Sequence, residues 1–280
     1  MTLMQLIKLV LDEAYAEIPG TEAAKDAEIK AALAGLAPAY ADLKNTKREP
    51  INYVSPQARF AYIYKYTVAH ADYIRQLIES NAELLALFKS ESVSVACVGG
   101  GPGSDLLGVL KHMIRFGSKT TLTCYLFDRE RAWGDSWSEV AKPLAADFQL
   151  YPVFQQMDIT DASQWASYRK FLGADLFTFS YFLSEVWSFR DQAARSSSTA
   201  SRRPNPDRSS YSSTTTTKAV SLPAEFDKLA ADNGVALIAA STCNMVFEND
   251  EEKKDLEPYY SKFGFPKRES KVAYRVGRKQ

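Results

Sequence analysis

Hydrophobic and polar residues follow different patterns on the two sides of about residue 90. Before it, apolar residues recur every three or four positions, as on one face of an α-helix. The first such stripe consists of Leu3, Leu6, Ile7, Val10, Leu11 and Ala14. After it, short continuous apolar runs alternate with segments of helical spacing, which predicts an α/β fold with a mainly parallel sheet. The pattern thus divides the chain into a helical unit, 1–90, and an α/β unit, 91–280.

Capping signals mark one helix of the first unit more clearly than the others. Ser55 followed by Pro56 combines a favoured N-cap residue with the proline that helices accept at their first position. A single helix is predicted from there to Ser80. Residues 22–43 are rich in Ala, Glu and Lys, which favour a preceding helix. A short helix is predicted at about 81–88.

The second unit contains several strand-like runs. They are 92–98, 121–127, 148–157, 174–181 and 234–240, with 259–263 and 272–276 as an edge hairpin. A segment at 195–217 has almost no apolar residue, so it cannot bury enough surface to offset its ordering entropy. We expect it to be a disordered surface insertion whose arginines are either solvated or in contact with RNA or another partner.

The stretch 92–108 is the centre of the second unit. A buried strand runs into Gly99, Gly100, Gly101 and Gly103, and an apolar pattern of helical spacing follows. Glycines accept positive φ and let a ligand approach the main chain closely. The N-terminus of the following helix presents unpaired N–H groups at the same place. The stretch therefore predicts a binding site for a nucleotide-like ligand.

Two aspartates follow the next two predicted strands. Asp128 ends the second strand and Asp158 the third, so both lie at the carboxyl edge of a parallel sheet, where such sheets bind ligands. A carboxylate at the first position can accept the hydroxyls of a ribose. Alternatively, Asp128 caps a helix and Asp158 belongs to a turn. Because position 104 is Ser104, the dinucleotide pattern G-x-G-x-x-G is not met.

Together, VACVGGGPGSD, LFD and QQMDIT resemble three motifs of the class I S-adenosylmethionine-dependent methyltransferases, over about residues 90–280. The resemblance implies a Rossmann-like sheet of seven strands, mostly parallel with the last antiparallel, below an N-terminal helical cap. It implies S-adenosyl-L-methionine as the cofactor. The backbone of the glycine turn would face its methionine part, Asp128 its ribose, and Asp158 with Ile159 its adenine.

The sequence departs from the family where the first strand often ends in an acidic residue, because Val98 or a glycine stands there. Arg59 and Tyr62 are therefore candidates for holding the amino-acid end of the cofactor, and Ser180 is a further candidate contact. The alternative is that the tyrosines of this helix lie at the edge of the core with their hydroxyls in water.

The residues after the fourth strand are expected to face the methyl acceptor. Glu185 and Tyr181 are the candidate catalytic residues, with Glu185 orienting or deprotonating a substrate group; alternatively, Glu185 is a solvated helix residue. The family's amino-methylating nucleic-acid enzymes carry Asn/Asp-Pro-Pro-Tyr here, and this chain does not. Cys243 follows a Thr as in RNA cytosine-5 methyltransferases, but their second cysteine motif is missing. A buried thiol is the favoured interpretation.

The amino-acid composition disfavours some classes of binding partner for this protein. Lys+Arg and Asp+Glu both number 34, so the net charge is zero and tracking of long nucleic acid is disfavoured. Three cysteines without C-x-x-C spacing indicate reduced thiols and no metal site, in a cytoplasmic or nuclear protein. No membrane partner is expected. The sequence favours a methyltransferase for a small or compact acceptor; the alternatives are an RNA or protein methyltransferase, and a non-catalytic S-adenosylmethionine-binding sensor or scaffold.

Overall fold

The computed structural model describes residues 2–42, 51–137, 149–159, 161–165, 169–186, 211–216, 222–248, 253–257 and 259–280. The first unit is helical, as the apolar stripes predict. Its helices are α1 (Leu3–Glu17), α2 (Glu22–Ala41), α3 (Pro56–Tyr62), α4 (Val68–Glu79) and α5 (Ala82–Leu87). The hydroxyl of Thr2 accepts the N–H of Gln5, whose side chain accepts the N–H of Thr2, so a capping box starts α1.

The predicted long helix is confirmed, with one irregularity. The hydroxyl of Ser55 accepts the N–H of Ala58 at 3.4 Å, and Pro56 occupies the first turn. The helix then passes through a π-helical turn, Ile63–Thr67, before it continues as α4. The periodicity did not predict this turn, which widens the helix directly before His70. Such π-bulges occur often at functional sites.

One sheet organises the second unit. Its strands are β1 (Ser92–Val98), β2 (Thr121–Asp128), β3 (Leu150–Gln156), β4 (Leu176–Ser180), β5 (Tyr211–Thr216), β6 (Val235–Val246) and β7 (Glu269–Lys279). They lie in the order β3-β2-β1-β4-β5-β7-β6. The pairs from β3 to β5 are parallel, whereas β7 runs antiparallel to both β5 and β6.

The predicted α/β fold with a mostly parallel sheet is confirmed. The seven-strand arrangement is confirmed in part: β3, β2, β1 and β4 form a parallel block of four, and β6 with β7 forms an antiparallel pair that β5 connects to the block. The described helices of this unit are α6 (Ser104–Phe116), α7 (Ala162–Trp165), α8 (Phe182–Val186), α9 (Leu222–Asp232) and α10 (Tyr259–Phe263).

Three sequence predictions are corrected. Within the predicted insertion, Tyr211–Thr216 forms β5, because its β-branched threonines suit a strand and β4 offers an edge to pair with; the other residues of 195–217 lie outside the described ranges. Tyr259–Phe263 is a helix and not a hairpin strand, because its two terminal rings, four residues apart, both pack on Phe60. Strand β6 continues through Cys243, which therefore does not follow a strand end.

The helical unit shares one hydrophobic core with the sheet. Helix α4 packs closely against α6 at Gly108, where an added Cβ would overlap the carbonyl oxygen of Ala71 and lie 2.7 Å from Cβ of Ile74. This close approach brings residues of α3 and α4 to the carboxyl ends of β1 and β4. Within the described ranges, the structure contains no helix with the length and apolar character that a membrane crossing needs.

Candidate functional site

The glycine turn joins β1 to α6 at the carboxyl edge of the sheet. Gly99 and Gly103 have φ values of 68° and 74°, in the region that glycine adopts without steric cost. The N–H of Gly100 donates to the carbonyl of Phe127 at 3.0 Å, and the N–H of Gly103 donates to the carbonyl of Gly100 at 2.8 Å. The first bond fixes the turn against the end of β2, and the second closes the turn on itself.

Asp128 lies directly beside this turn. Its carboxylate accepts the N–H of Gly101 at 3.2 Å and the N–H of Glu130 at 2.9 Å. Burial raises the pKa of the carboxyl to about 6, and the two backbone donors oppose that shift. The side chain is still half-buried, so it combines a desolvated carboxylate with an accessible face. The alternative role of Asp128 as a helix cap is not seen, because Glu130 caps the 3-10 turn at 131–133 by accepting the N–H of Ala132 at 3.1 Å. The role of Asp128 toward a ribose stays a prediction.

Aromatic rings form the remaining walls of the turn. An added Cβ would overlap Trp133 at Gly101, Trp137 at Gly103 and Phe182 at Gly99. At Gly101 it would also lie 2.5 Å from Oδ2 of Asp128. The indole N–H of Trp137 donates to the carbonyl of Gly101 at 2.7 Å. Glycine main chain with a carboxylate beside it has the chemistry that the predicted adenosyl cofactor needs, and the three aromatic rings are packed directly against that main chain.

Asp158 and Ile159 follow β3 on the Asp128 side of the turn. The N–H of Met157 donates to the carbonyl of Asp128 at 2.8 Å, which holds the ends of β2 and β3 together. The N–H of Asp158 donates to the side-chain oxygen of Gln164 at 2.9 Å. Asp158 and Ile159 are both half-buried at this edge. The structure therefore brings the two predicted carboxylates to neighbouring strand ends, while their roles toward a cofactor stay predictions.

Arg59 and Tyr62, one turn apart on α3, occupy different surroundings. The Arg59 guanidinium donates to the carboxylate of Glu17 at 2.6 Å and to the carbonyls of Tyr53 and Val54 at 3.2 and 2.6 Å. These contacts tie α1 to the start of α3, and none of them involves the glycine turn. Tyr62 instead meets Trp133 edge to face, with 6.2 Å between ring centroids, so it lies one ring away from Gly101.

Glu185 lies in α8, one turn after β4, among tyrosines of the helical unit. The hydroxyl of Tyr40 donates to Oε1 of Glu185 at 2.8 Å, and the hydroxyls of Tyr40 and Tyr53 lie 2.8 Å apart. Burial, and next the charge of Glu185, raise the pKa of both phenols well above their usual value, so both remain protonated donors. The ring of Tyr53 also contacts Trp133 at 5.4 Å. The candidate catalytic carboxylate is thus held by the helical cap.

Ser180 ends β4, and Tyr181 directly follows it. Tyr181 has a φ of 58°, and its ring stacks on the imidazole of His70 with centroids 3.6 Å apart and planes 14° apart. Burial lowers the pKa of His70 well below its usual value, so the imidazole is neutral at pH 7. The Ser180 hydroxyl is buried beside Asp105, at the start of α6. The structure therefore brings both candidate catalytic residues to the cap.

Sequence reasoning missed several residues of this site, namely Tyr40, Tyr53, His70, Asp105, Trp133 and Trp137. One signal was present for the tryptophans, which stand four residues apart directly after Asp128. Asp105 was visible as a carboxylate in the first turn after the glycines. The remaining residues reach the site only through the packing of the helical cap, which no spacing in the sequence records.

A separate cavity of about 630 Å³ opens at the opposite end of the sheet. It lies at the amino ends of β1 and β2, and Phe88, His112 and Phe116 line it together with Lys89 and Lys119. It shares no residue with the glycine turn. Since parallel α/β sheets bind ligands at the carboxyl edge, the turn and not this cavity is the candidate functional site.

No protein-family model and no curated protein matches the sequence. Among solved structures, the chain is similar to a proposed RNA methyltransferase of Pyrococcus horikoshii, with 15% identity over 88% of this chain and 98% of that chain and a TM-score of 0.41. A proposed class I S-adenosylmethionine-dependent methyltransferase of Listeria monocytogenes has 12% identity over 99% and 88%, with a TM-score of 0.40. The methyltransferase domain of METTL16 has 11% identity over 89% and 91%, with a TM-score of 0.39. All three of those proteins are described as methyltransferases.

Proposed function

We propose that this chain is an S-adenosylmethionine-dependent methyltransferase. The observation that carries the proposal is the carboxylate of Asp128 beside the N–H of Gly101, at the carboxyl edge of a parallel sheet. A ligand with vicinal hydroxyls and no phosphate suits this pair, because Asp128 is an acceptor and lies where a phosphate would be repelled. The adenosyl part of the cofactor has that chemistry.

In this proposal the backbone at 99–103 and Asp128 hold the cofactor, with Asp158 and Ile159 near its adenine and Ser180 and Tyr62 near its amino-acid end. When bound, the cofactor supplies a methyl group on a sulfonium. The remaining task of the protein is to orient the acceptor and exclude water. Arg59 is given no role here, since Glu17 and two carbonyls already pair with both terminal nitrogens of its guanidinium.

The acceptor is proposed to approach from the side of β4. Glu185 would accept or orient a proton of the acceptor, and the donor chain from Tyr53 through Tyr40 holds its carboxylate in place. Aromatic rings of the cap enclose this side, which favours a small or compact acceptor. An RNA or protein acceptor through the basic insertion stays an alternative, and the arginines of that insertion lie outside the described ranges.

Calorimetry with S-adenosylmethionine and with its demethylated product tests the proposal. Both should bind to the folded wild-type chain, and the fluorescence of Trp133 and Trp137 should change on binding because both rings pack on the turn. Asp128→Asn should weaken binding by about 10- to 100-fold, the loss expected for hydrogen bonds to a charged acceptor. Absence of binding to a folded preparation would overturn the proposal.

The second candidate is a non-catalytic S-adenosylmethionine-binding protein. The tryptophan rings packed on Gly101 and Gly103 favour it, because a ligand on the turn must move or stack on them. Transfer of a labelled methyl group into fractionated cell extract separates the candidates. Label in the extract supports the enzyme, and nuclease or protease treatment of the labelled fraction identifies the acceptor class. Cofactor binding without any transfer supports the sensor.

A further inference from the structure

Six side chains around the end of β4 bury polar atoms that have no hydrogen-bond partner in the described part of the chain. The atoms are His70 Nδ1, Tyr73 Oη, Asp105 Oδ1, Ser180 Oγ, Tyr181 Oη and Ser270 Oγ. Five of these residues expose no more than 6% of their surface; only Ser180 is half-buried as a residue. A buried polar atom left unpaired costs about 1–3 kcal/mol, so several at one place are typical of a site that a ligand completes.

These side chains form one group, with Tyr181 at its centre. The Tyr181 ring stacks on His70, and the rings of His70 and Tyr73 lie 6.3 Å apart. Burial raises the pKa of Tyr181, and the charge of Asp105 adds to that effect while the Ser270 hydroxyl opposes it. Ser270 acts on Tyr73 in the same way. Ser270 is therefore near both phenols, yet neither contact has hydrogen-bond geometry.

The backbone around this group has two irregularities. Tyr181 is the one non-glycine residue with positive φ in the described ranges, a conformation that costs an ordinary residue about 1–2 kcal/mol. The π-helical turn Ile63–Thr67 ends just before His70 and sets where the imidazole lies along the helix. Both irregularities act on the two stacked rings, which is typical of a functional site.

The charges of the group select its ligand. Burial keeps the imidazole of His70 and both phenols neutral at pH 7. Asp105 supplies the carboxyl of the group, and its other oxygen accepts the hydroxyl of Thr178 at 2.7 Å. Burial raises the pKa of Asp105, and the neighbouring Ser180 and Thr178 oppose that shift, so a bound cation would stabilise the ionised form that burial disfavours. None of the six side chains is cationic, and the positive charge of Lys267, which acts on His70, comes from outside the group. A phosphate or carboxylate would face Asp105 unfavourably, whereas an ammonium group would pair with it and donate to the neighbouring hydroxyls.

We propose that Asp105, Tyr181 and His70, with Tyr73 and Ser270, form a subsite for the amino group of the methyl acceptor. Ser180, which the proposed function places near the amino-acid end of the cofactor, borders this subsite beside Asp105. This deepens the proposed function by naming an amine as the acceptor class, and it rests on that function. The cap favours the acceptor over the cofactor as the source of the amine, because His70 and Tyr73 belong to α4 and lie outside the turn. Glu185 would then lie on the same side of β4 as the bound amine.

Ligand-observed NMR on the whole chain tests the subsite with three probes of one shape, n-butylammonium, n-butanol and butyrate. We expect n-butylammonium to bind and butyrate not to bind. Asp105→Asn, which keeps the volume and can still accept the Thr178 hydroxyl, should weaken n-butylammonium binding at least about tenfold. Tyr181→Phe, which removes one hydroxyl of the group, is the second test of n-butylammonium binding if Asp105→Asn does not fold. The control is Asp175→Asn, whose carboxylate binds Ser94 at the other end of β4.

Parallel calorimetry separates the outcomes. The demethylated cofactor and 5′-methylthioadenosine, which lacks the amino-acid end, are titrated into wild type and Asp105→Asn. If Asp105→Asn binds both nucleosides as tightly as wild type does but loses n-butylammonium binding, the result supports a subsite for the acceptor. If Asp105→Asn loses affinity for the demethylated cofactor but not for 5′-methylthioadenosine, the group binds the ammonium of the cofactor. That result overturns the assignment to the acceptor. Amine binding unchanged by Asp105→Asn and Tyr181→Phe overturns the subsite. If wild type binds neither nucleoside, the proposed function is overturned. The n-butylammonium titration is done without cofactor, so it still tests the subsite in that case.

Discussion

Tyr40 donates a hydrogen bond to Glu185, with 2.8 Å between the phenolic oxygen and Oε1 of the carboxylate. The two residues are 145 positions apart in sequence, and they connect α2 of the helical cap to the segment after β4. Since the Tyr40 hydrogen is used in this bond, the hydroxyl of Tyr53 donates to Tyr40 in turn. The cap therefore holds the candidate catalytic carboxylate by a chain of two neutral donors.

Removing the first donor should loosen the cap. Tyr40→Phe leaves the Tyr53 hydroxyl without its acceptor and Glu185 without this donor, so we expect the free energy of unfolding to fall by about 1–2 kcal/mol. Urea unfolding measures the change. Tyr151→Phe is the matched control, because Tyr151 is exposed and its hydroxyl donates to the exposed side chain of Gln149. Equal stability of the two variants would contradict the importance of the Tyr40–Glu185 bond.

Glu185→Gln tests the role of the carboxylate itself. Glutamine keeps an oxygen that accepts the Tyr40 hydroxyl but cannot take up a proton. We expect methyl transfer to fall about 10²- to 10⁴-fold, the usual contribution of a general base, with cofactor affinity unchanged. Labelled-methyl transfer and calorimetry give the two readouts. Loss of cofactor affinity together with activity would assign Glu185 to binding instead.

The acid–base behaviour of Asp128 gives a prediction with a definite sign. Its carboxyl has a folded-state pKa raised to about 6, so the folded chain binds this proton more tightly than the unfolded chain does. Ionisation of Asp128 therefore costs stability as the pH rises from about 4 to about 6. Asp128→Asn removes this cost, so the stability of the variant relative to wild type should increase over that range. Urea unfolding at several pH values checks it.

Cofactor binding should show the opposite trend with pH. The ionised carboxylate is the better acceptor for ribose hydroxyls, so wild-type affinity should rise as the pH passes through about 6 and then level off. Asp128→Asn should lack this step. A step of equal size in both proteins would mean that another group titrates.

Gly101→Ala tests the close packing of the turn. The added Cβ would overlap the Trp133 ring and lie 2.5 Å from the Asp128 carboxylate, so we expect a loss of about 1–3 kcal/mol in stability and loss of cofactor binding. Gly35→Ala is the matched control. Gly35 is exposed within α2, and its Cβ would meet nothing within 4 Å, so that substitution should raise stability by about 0.5–1 kcal/mol.

The local parts of the site were predictable from the sequence, and the parts made by distant packing were not. The glycine turn and Asp128 follow from spacing within one strand–turn–helix–strand segment, so the pattern of residues 92–128 contains them. The stack of His70 on Tyr181 joins α4 to the residue directly after β4 and depends on the π-helical turn, which has no periodic signal. Strand β5 was missed because its polar threonines have the composition of a loop, while the edge of β4 decides their conformation.

Two roles of Arg59 can be distinguished by replacing it: the cofactor contact that the sequence suggests, and the structural contacts that the structure shows. If Arg59 holds the amino-acid end of the cofactor, its replacement should lower the affinity for the cofactor. If Arg59 instead connects Glu17 to the carbonyls before α3, its replacement should lower the stability of the protein. We expect Arg59→Gln to lower the free energy of unfolding by about 2 kcal/mol and to leave cofactor affinity unchanged, because its three acceptors all lie in the cap. Glu17→Gln, which removes only the exposed partner, should cost less than about 1 kcal/mol. A large fall in cofactor affinity with intact stability would restore the sequence-based role of Arg59.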